Sequence, residues 1–507
     1  MTRLQTLLTG GTVVDPEAGD TAVLNVGIAD GTIAYLGTDT PEADTVVDVS
    51  GKYVTPGFID LHSHAQNVTG HRLQVLDGVT TSLELESGSA PLGPMYAWAA
   101  HEGRPAHFGY SAGWLFTRMH VLGGVDLVDP LDSPDFRKPL DYFSAYAGME
   151  EHKQEATPEQ VEQILALLRQ QLEEGAIGVG VLLGYASAAS REEILGVGRL
   201  CAEFGRPMFC HGRFSSNIEG STCVETVEEL AAVARETGCA VHLCHFNSTG
   251  HSTIEEAAGV IAAAVAEGLT FTTEAYPFGT SSTVIGAEFL APDRLAGQGI
   301  TAQSLVFLPT GERIADDARL AEIRATEPGG LALIDYYVES EEGSRNELVK
   351  ALTLPGAAFA SDAMPVTYRG DAAGAAEAAA RLAAHEWPVG DDFICHPRST
   401  SCFARALAWV HRDLGALDLV ETVRRCTLVP ARILEAGVPA MARKGRMAIG
   451  ADADLAVFDL AALTPSTDYF HITPTVGFDH VYVAGEAVVA SGELVTSSFP
   501  GTAVYGG

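Results

Sequence analysis

The chain opens on short runs in which apolar and polar residues alternate between turn residues: GTVVD, VLNVGIAD and GTIAYLG all fall within residues 1–54. Alternation with a period of two buries one face of a strand, so this segment is predicted to be β-structure. The same texture returns in GADADLAVFDL and HVYVAGEAVVASGEL. Residues 1–54 and 440–507 are therefore expected to build one small β-domain together. Between them, residues 55–439 alternate β-like runs with segments rich in Ala, Leu and Glu, the pattern of a parallel α/β fold. The strand candidates are FIDLHSH from Phe58, TSLELE after Gly78, HFGYSAG from His107, AIGVGVLLG, PMFCH ending at His211, AVHLCH ending at His245, LTFTTEAYP ending at Pro277 and AAFASD ending at Asp362. Eight strand-then-helix units around one ring make a (β/α)8 barrel of the TIM type, which collects its reactive groups at the C-terminal ends of its strands. Residues 286–350 carry no clean further unit and are expected to be an insertion or long crossover before the last strand. The plainest helix is TPEQVEQILALLRQQLEEG, with Thr157 as cap, Pro158 in the first turn, Gln160 completing a capping box and Gly175 at the end.

Composition narrows the reading. A length of 507 residues at 47% hydrophobic content supports a large core, one big domain and something smaller. Lys and Arg number 31 against 66 Asp and Glu, a net charge of −35 that repels nucleic acid and anionic membranes, so neither is expected as a partner. The acidic residues are scattered, which fits a solvated surface. The start of the chain has only a brief apolar stretch with no credible cleavage site, and no apolar run approaches the roughly 18 residues of a membrane span. A soluble, cytoplasmic protein is expected, with homo-oligomerisation left open. The eight cysteines form no CxxC pair and are expected to be reduced and buried.

The strand ends carry the chemistry. They present His62 and His64, then Glu84 and Glu86, then His211, His245 and Asp362. Any one of them has an ordinary explanation, as a core histidine or as a turn or helix cap. Their recurrence at positions that a barrel brings to one rim points instead to a metal centre. Nitrogen and oxygen donors favour zinc, and manganese, iron or cobalt also suit them.

TPGFIDLHSH, GVTT, GAIGVGVLLGYASAASREEI, the strand-ending His211 and His245, ASD at 360–362, HPRSTSCFARAL, LVPARILEAG and KGRMAIGADADLAVFD resemble the amidohydrolase superfamily. More narrowly they resemble its D-aminoacylase branch, the N-acyl-D-amino-acid deacylases, over nearly the whole chain. The resemblance implies a metal-bearing barrel flanked by a β-sandwich made from both termini, and hydrolysis of a C–N bond in a small-molecule amide. It also implies one or two zinc ions, with His62 and His64 as ligands of one, His211 and His245 as ligands of the other, and Asp362 as the catalytic carboxylate beside the metal. The branch supplies a cysteine shortly after GVTT, where this chain reads SLELESG and has none. A carboxylate can bridge two cations as a thiolate can, so Glu86 is expected to bridge, with Glu84 on the same face in reserve.

Other departures bear on substrate. Ala65, Gln66 and Asn67 stand where the family has an aspartate, and Asn247 stands where the branch has a lysine that grips the substrate carboxylate. Arg213 and Arg398 are candidates to replace that lysine, or are structural ion-pair partners. Tyr185 matches a tyrosine that follows the fourth strand in the branch, where it would meet the scissile carbonyl or simply pack. The expected activity is deacylation of an N-acyl amino acid. The alternatives are a cyclic amidase of the hydantoinase or dihydroorotase kind, a hydrolase of an uncharged amide, and, remotely, a non-catalytic scaffold.

Overall fold

The computed structural model describes residues 3–132, 144–370 and 373–507. Its centre is a ring of eight parallel strands: Phe58–Asp60, Val79–Ser89, His107–Gly113, Val179–Leu182, Met208–His211, Val241–Leu243, Phe271–Ala275 and Ala358–Phe359. Each pairs with its sequence neighbours, in the order expected of the eight β-like runs. These strands are almost wholly buried, because the barrel interior covers one face and the surrounding helices cover the other. The ring closes where Ser63 bridges Ala363 and the His64 amide donates to the Ala363 carbonyl at 2.8 Å. Asp60 fastens the same seam. Its carboxylate accepts the Ser361 amide at 2.9 Å, the Ser361 hydroxyl, and Gln74 Nε2 at 2.7 Å.

The regular strands are shorter than the apolar runs that announce them. The first stops at Asp60, so His62 and His64 lie in the segment beyond it, and the eighth stops at Phe359, three residues before Asp362. Helices return the chain between strands. The helix Pro158–Glu173 has the expected capping box, with the Thr157 hydroxyl accepting the Gln160 amide at 3.3 Å and Gln160 Oε1 accepting the Thr157 amide at 2.9 Å. Gly175 follows it at φ +102°, a conformation costly for a residue with a Cβ. No helix among the described residues is long and apolar enough to cross a membrane.

After the seventh strand the chain leaves the barrel. It forms a small antiparallel sheet from Thr280–Val284, Leu331–Asp335, Leu305–Phe307 and Glu312–Arg313, in that spatial order, with the helix Asp317–Thr326 in the same excursion, and the helix Glu342–Leu352 then packs back on the barrel against Ile254–Ala266 and Phe271–Ala275. This sheet begins at Thr280, before the stretch of 286–350 that the sequence marks as lacking a unit. Its strands of two to five residues are too short to leave a clear alternation.

The termini meet in a nine-stranded sheet. Tyr53–Pro56 pairs with Leu455–Phe458, which joins the N-terminal strands to the C-terminal ones. The sheet bends over its own core of Leu8, Val26, Ile28, Val54, Leu455 and Val457, and the Ile33 amide donates to the Ala451 carbonyl at 2.9 Å where the two parts meet again. The last residues run along the barrel, with Phe108 donating to Thr502 and Val504 donating back to Phe108.

Candidate metal centre and active site

Four strand ends and the loop after the eighth deliver one cluster. His62 Nε2 and His64 Nε2 come within 3.2 Å of each other, and Asp362 Oδ1 lies 3.4 Å from both. Across from them, His211 Nδ1 and His245 Nε2 are 3.0 Å apart. Glu86 stands between the pairs. Its Oε2 is 3.2 Å from His62 Nε2 and 3.6 Å from His64 Nε2, while its Oε1 is 2.7 Å from His245 Nε2 and 3.0 Å from His211 Nδ1. Glu84, the alternative bridge, points elsewhere: its Oε2 lies 2.7 Å from His64 Nδ1, behind the ring. The second strand bulges after Glu84, so the register slips and the two carboxylates do not share one position.

Electrostatics tie the cluster together. Burial opposes charge on His62 and His64, but Glu86, Asp362 and Glu274 push His62 well above its ordinary range, and Glu84 and Asp362 push His64 up to about 9. Burial alone would raise Glu86, yet His62, His245 and His211 hold it well below the usual carboxylate range. Burial is likewise outweighed at Asp362, held low by Arg398 and His62. Arg398 Nη2 lies 2.9 Å from Asp362 Oδ2, which leaves Oδ1 toward the histidines.

The donor set fits one or two divalent cations. Carboxylates occupy Nδ1 of both His62 and His64, so each ring is a donor at Nδ1 and offers its lone pair at Nε2. Two such lone pairs facing each other at 3.2 Å repel unless a cation or a proton lies between them. His62, His64 and Asp362 form one compact group of metal-ligating atoms, and Glu86, His211 and His245 form another.

The cluster floors a cavity. Its walls include Tyr185, Ser215, Ser248, Ser282, Phe289, Ile334, Tyr336 and Met364, several of them from the inserted sheet. Tyr185 is at the wall with its hydroxyl 2.7 Å from Thr283 Oγ1. Phe289 stacks on His211 with ring centroids 5.5 Å apart. The other expected substrate residues are turned away. Asn247 does not line the cavity, and its Oδ1 accepts the Tyr276 amide at 3.3 Å. Arg213 pairs with Glu229 at 2.7 Å and donates to the carbonyls of Ser187 and Ala189. Arg398 is fully buried against Tyr276 and engaged with Asp362 and the Ser282 carbonyl. No lysine or arginine lines the cavity among the described residues.

Two participants escaped the sequence reading, Glu274 and His242, which stand behind His62. A signal existed: Glu274 interrupts the seventh β-like run, and a carboxylate inside a barrel strand needs a partner.

Residues 45–489 match the model of an amidohydrolase family. The chain belongs to that family. It is 28% identical to the D-aminoacylase of Alcaligenes xylosoxydans xylosoxydans, over 95% of this chain and 94% of that one. To the N-acyl-D-glutamate deacylase of the same organism it is 27% identical, over 96% and 94%. The crystal structure of N-acyl-D-glutamate deacylase from Bordetella bronchiseptica, complexed with zinc and a phosphonate inhibitor, superposes with a TM-score of 0.75 at 22% identity, covering 99% of this chain and all of that one. This amidohydrolase thus shares its barrel and terminal sheet with deacylases along its whole length.

Proposed function

We propose that this amidohydrolase is a metal-dependent hydrolase of the C–N bond of an N-acyl amino acid. The observation that carries the reading is Glu86: one carboxylate, each of whose oxygens faces a separate histidine pair, beside an ionised Asp362 on the floor of a cavity. His62 and His64 would hold one zinc ion, His211 and His245 a second, and Glu86 would serve both, with Asp362 at the first. A divalent cation bound there supplies a Lewis acid for the amide oxygen and lowers the pKa of water from about 15.7 toward 7.

The chain's own groups do the rest. Asp362 Oδ1 faces the reacting side and is the acceptor for the proton of the attacking water, which it returns to the departing nitrogen. Arg398 fixes the other oxygen and keeps the carboxylate ionised until that transfer. Tyr185, on the cavity wall, would donate its hydroxyl to the carbonyl oxygen. The whole-chain likeness to two N-acyl amino acid deacylases supports the same reading. A cytoplasmic location is consistent with eight buried, unpaired cysteines.

The second reading, hydrolysis of a cyclic or otherwise uncharged amide, is favoured by one observation: Arg213 and Arg398 are both committed, so neither of these two candidates is free to meet a substrate carboxylate. Assays on N-acetyl-D-amino acids and on hydantoins separate the two. The expected result is deacylation that stops when zinc is chelated and returns on its readdition, with Glu86→Gln losing at least one metal equivalent and most turnover. Full activity in the chelated protein, or full metal content in Glu86→Gln, would overturn the reading.

A further inference from the structure

A second cavity adjoins the one floored by the metal-competent cluster. Gly212, Phe214 and Ile218 help to line it, and it shares His211, Ser215 and Phe289 with the first. Of the three shared residues, His211 belongs to the cluster and Ser215 is small, so the bulk of the partition is the Phe289 ring. That ring stacks on His211 with centroids 5.5 Å apart and 21° between planes, and it meets Tyr185 edge-on at 5.2 Å. The turn that carries it, Glu288–Leu290, belongs to the excursion between the seventh and eighth strands. It is latched to the segment after the fourth strand, because Glu288 Oε1 accepts the Ser187 hydroxyl at 2.6 Å and Oε2 accepts the Ser187 amide at 3.3 Å. The partition is therefore fixed by its neighbours on both sides.

We propose that Phe289 is the specificity-determining residue for the acyl group: it closes the first cavity so that a short acyl chain fits, and the second cavity is the space a longer chain would fill if the ring were removed. The inference rests on the N-acyl amino acid reading above. In that reading Asp362 returns a proton to the departing nitrogen, so the amine half of the substrate lies on the side of His62, His64 and Arg398. The other substituent of the carbonyl carbon, the acyl chain, then leaves toward the opposite pair, His211 and His245, and meets Phe289. A packed aromatic wall rejects added methylenes by overlap. Behind the ring, Gly212, Phe214 and Ile218 offer methylenes an apolar surface, and Ile218 is 60% exposed, so the space is open at its far end.

The test is kcat/KM of the zinc-loaded, full-length protein on N-acetyl-, N-butyryl- and N-octanoyl-D-alanine, with N-acetyl-D-phenylalanine as the control for the amino-acid half. Wild type is expected to favour acetyl and to discriminate steeply against octanoyl. Phe289→Ala should raise the octanoyl-to-acetyl ratio by about 10- to 100-fold and leave the ratio of the two N-acetyl substrates nearly unchanged. Phe289→Leu, a smaller cut, should move the octanoyl ratio the same way by less, and it stands in if Phe289→Ala does not fold. Calorimetric titration with octanoate and acetate, the acids that deacylation would release, reads the same partition without turnover: octanoate should gain affinity in the variant and acetate should not. An unchanged octanoyl-to-acetyl ratio in both variants would overturn the inference. So would a wild type that takes octanoyl as readily as acetyl, or a shift confined to the phenylalanine substrate. Absence of hydrolysis of all four amides by wild type would instead overturn the N-acyl amino acid reading, and the octanoate titration would still decide the partition.

Discussion

Two side chains of the cluster, His245 and Asp362, sit at positive φ, +32° and +50°. Non-glycine residues rarely adopt that region, and such positions gather where function demands a direction that regular strand geometry does not supply. For Asp362 the consequence is testable, because asparagine tolerates the same backbone region. Asp362→Asn should fold with a thermal midpoint close to wild type and keep the Arg398 contact through its remaining oxygen. Turnover should fall by about 10²- to 10⁴-fold, the usual share of a general acid–base group. Steady-state kinetics alongside thermal melts checks it, and near-normal turnover would remove Asp362 from the proposed mechanism. The site's residue types were legible in the sequence, since His62, His64, Glu86, His211, His245 and Asp362 all end β-like runs. The aim of Glu84, Asn247, Arg213 and Arg398 was not, because a side chain's partner lies on another strand or loop that spacing does not reveal.

At the scale of elements, legibility followed length and local chemistry. The helix Pro158–Glu173 carries its own boundaries in Thr157, Pro158, Gln160 and Gly175, and it forms between them. Thr157→Ala removes a cap worth about 0.5–2 kcal/mol. The expected result is faster amide exchange confined to the first turn of this helix, with turnover unchanged, because the loss acts on one end of a surface element. Hydrogen exchange resolved by segment checks it, and protection equal to wild type would show that tertiary packing holds the turn without its cap. The inserted sheet is the opposite case. Its strands are brief and pair out of sequence order, so the energy that orders them comes from packing against the barrel and not from local preference.

For the whole molecule, the joint between terminal sheet and barrel is electrostatic as well as apolar. Lys444 Nζ lies 2.5 Å from Asp454 Oδ2 and 3.1 Å from Asp452, and Asp454 Oδ1 is 3.2 Å from His107 Nε2 on the third barrel strand. Burial alone would raise Asp454, but Lys444 and His107 hold it far below the carboxylate range; burial alone would lower Lys444, but the two aspartates raise it. A depressed carboxylate contributes stability that is complete above its unfolded value and lost as pH falls through the folded one. A raised lysine contributes stability that is complete below its unfolded value and lost as pH climbs through the folded one. The joint is therefore strongest between about pH 4 and pH 10. Lys444→Met leaves a buried carboxylate short of its main partner, a loss of about 3–5 kcal/mol. Thermal midpoints between about pH 4 and pH 10 should fall in the variant, and the further decline that wild type shows above about pH 10 should be lost; a variant as stable as wild type at neutral pH would refute the role of the pair.

The eight β-like runs, the intervening helices, the β-rich termini and the strand-end histidines and carboxylates are properties of order and composition. Burial periodicity and turn chemistry act locally, and for that reason the sequence by itself determined the barrel and its metal-competent rim. Tertiary structure alone decided that Glu86 stands between the histidine pairs while Glu84 turns behind His64, since the second strand bulges between Glu84 and Ser89 and its register against the third strand shifts there. It alone decided that Arg398 serves Asp362, that Arg213 is spent on Glu229, and that Glu274 reaches His62 from 212 positions away. Buried charges take the partner that the closed barrel brings within reach, and that choice is fixed only when the strands have paired.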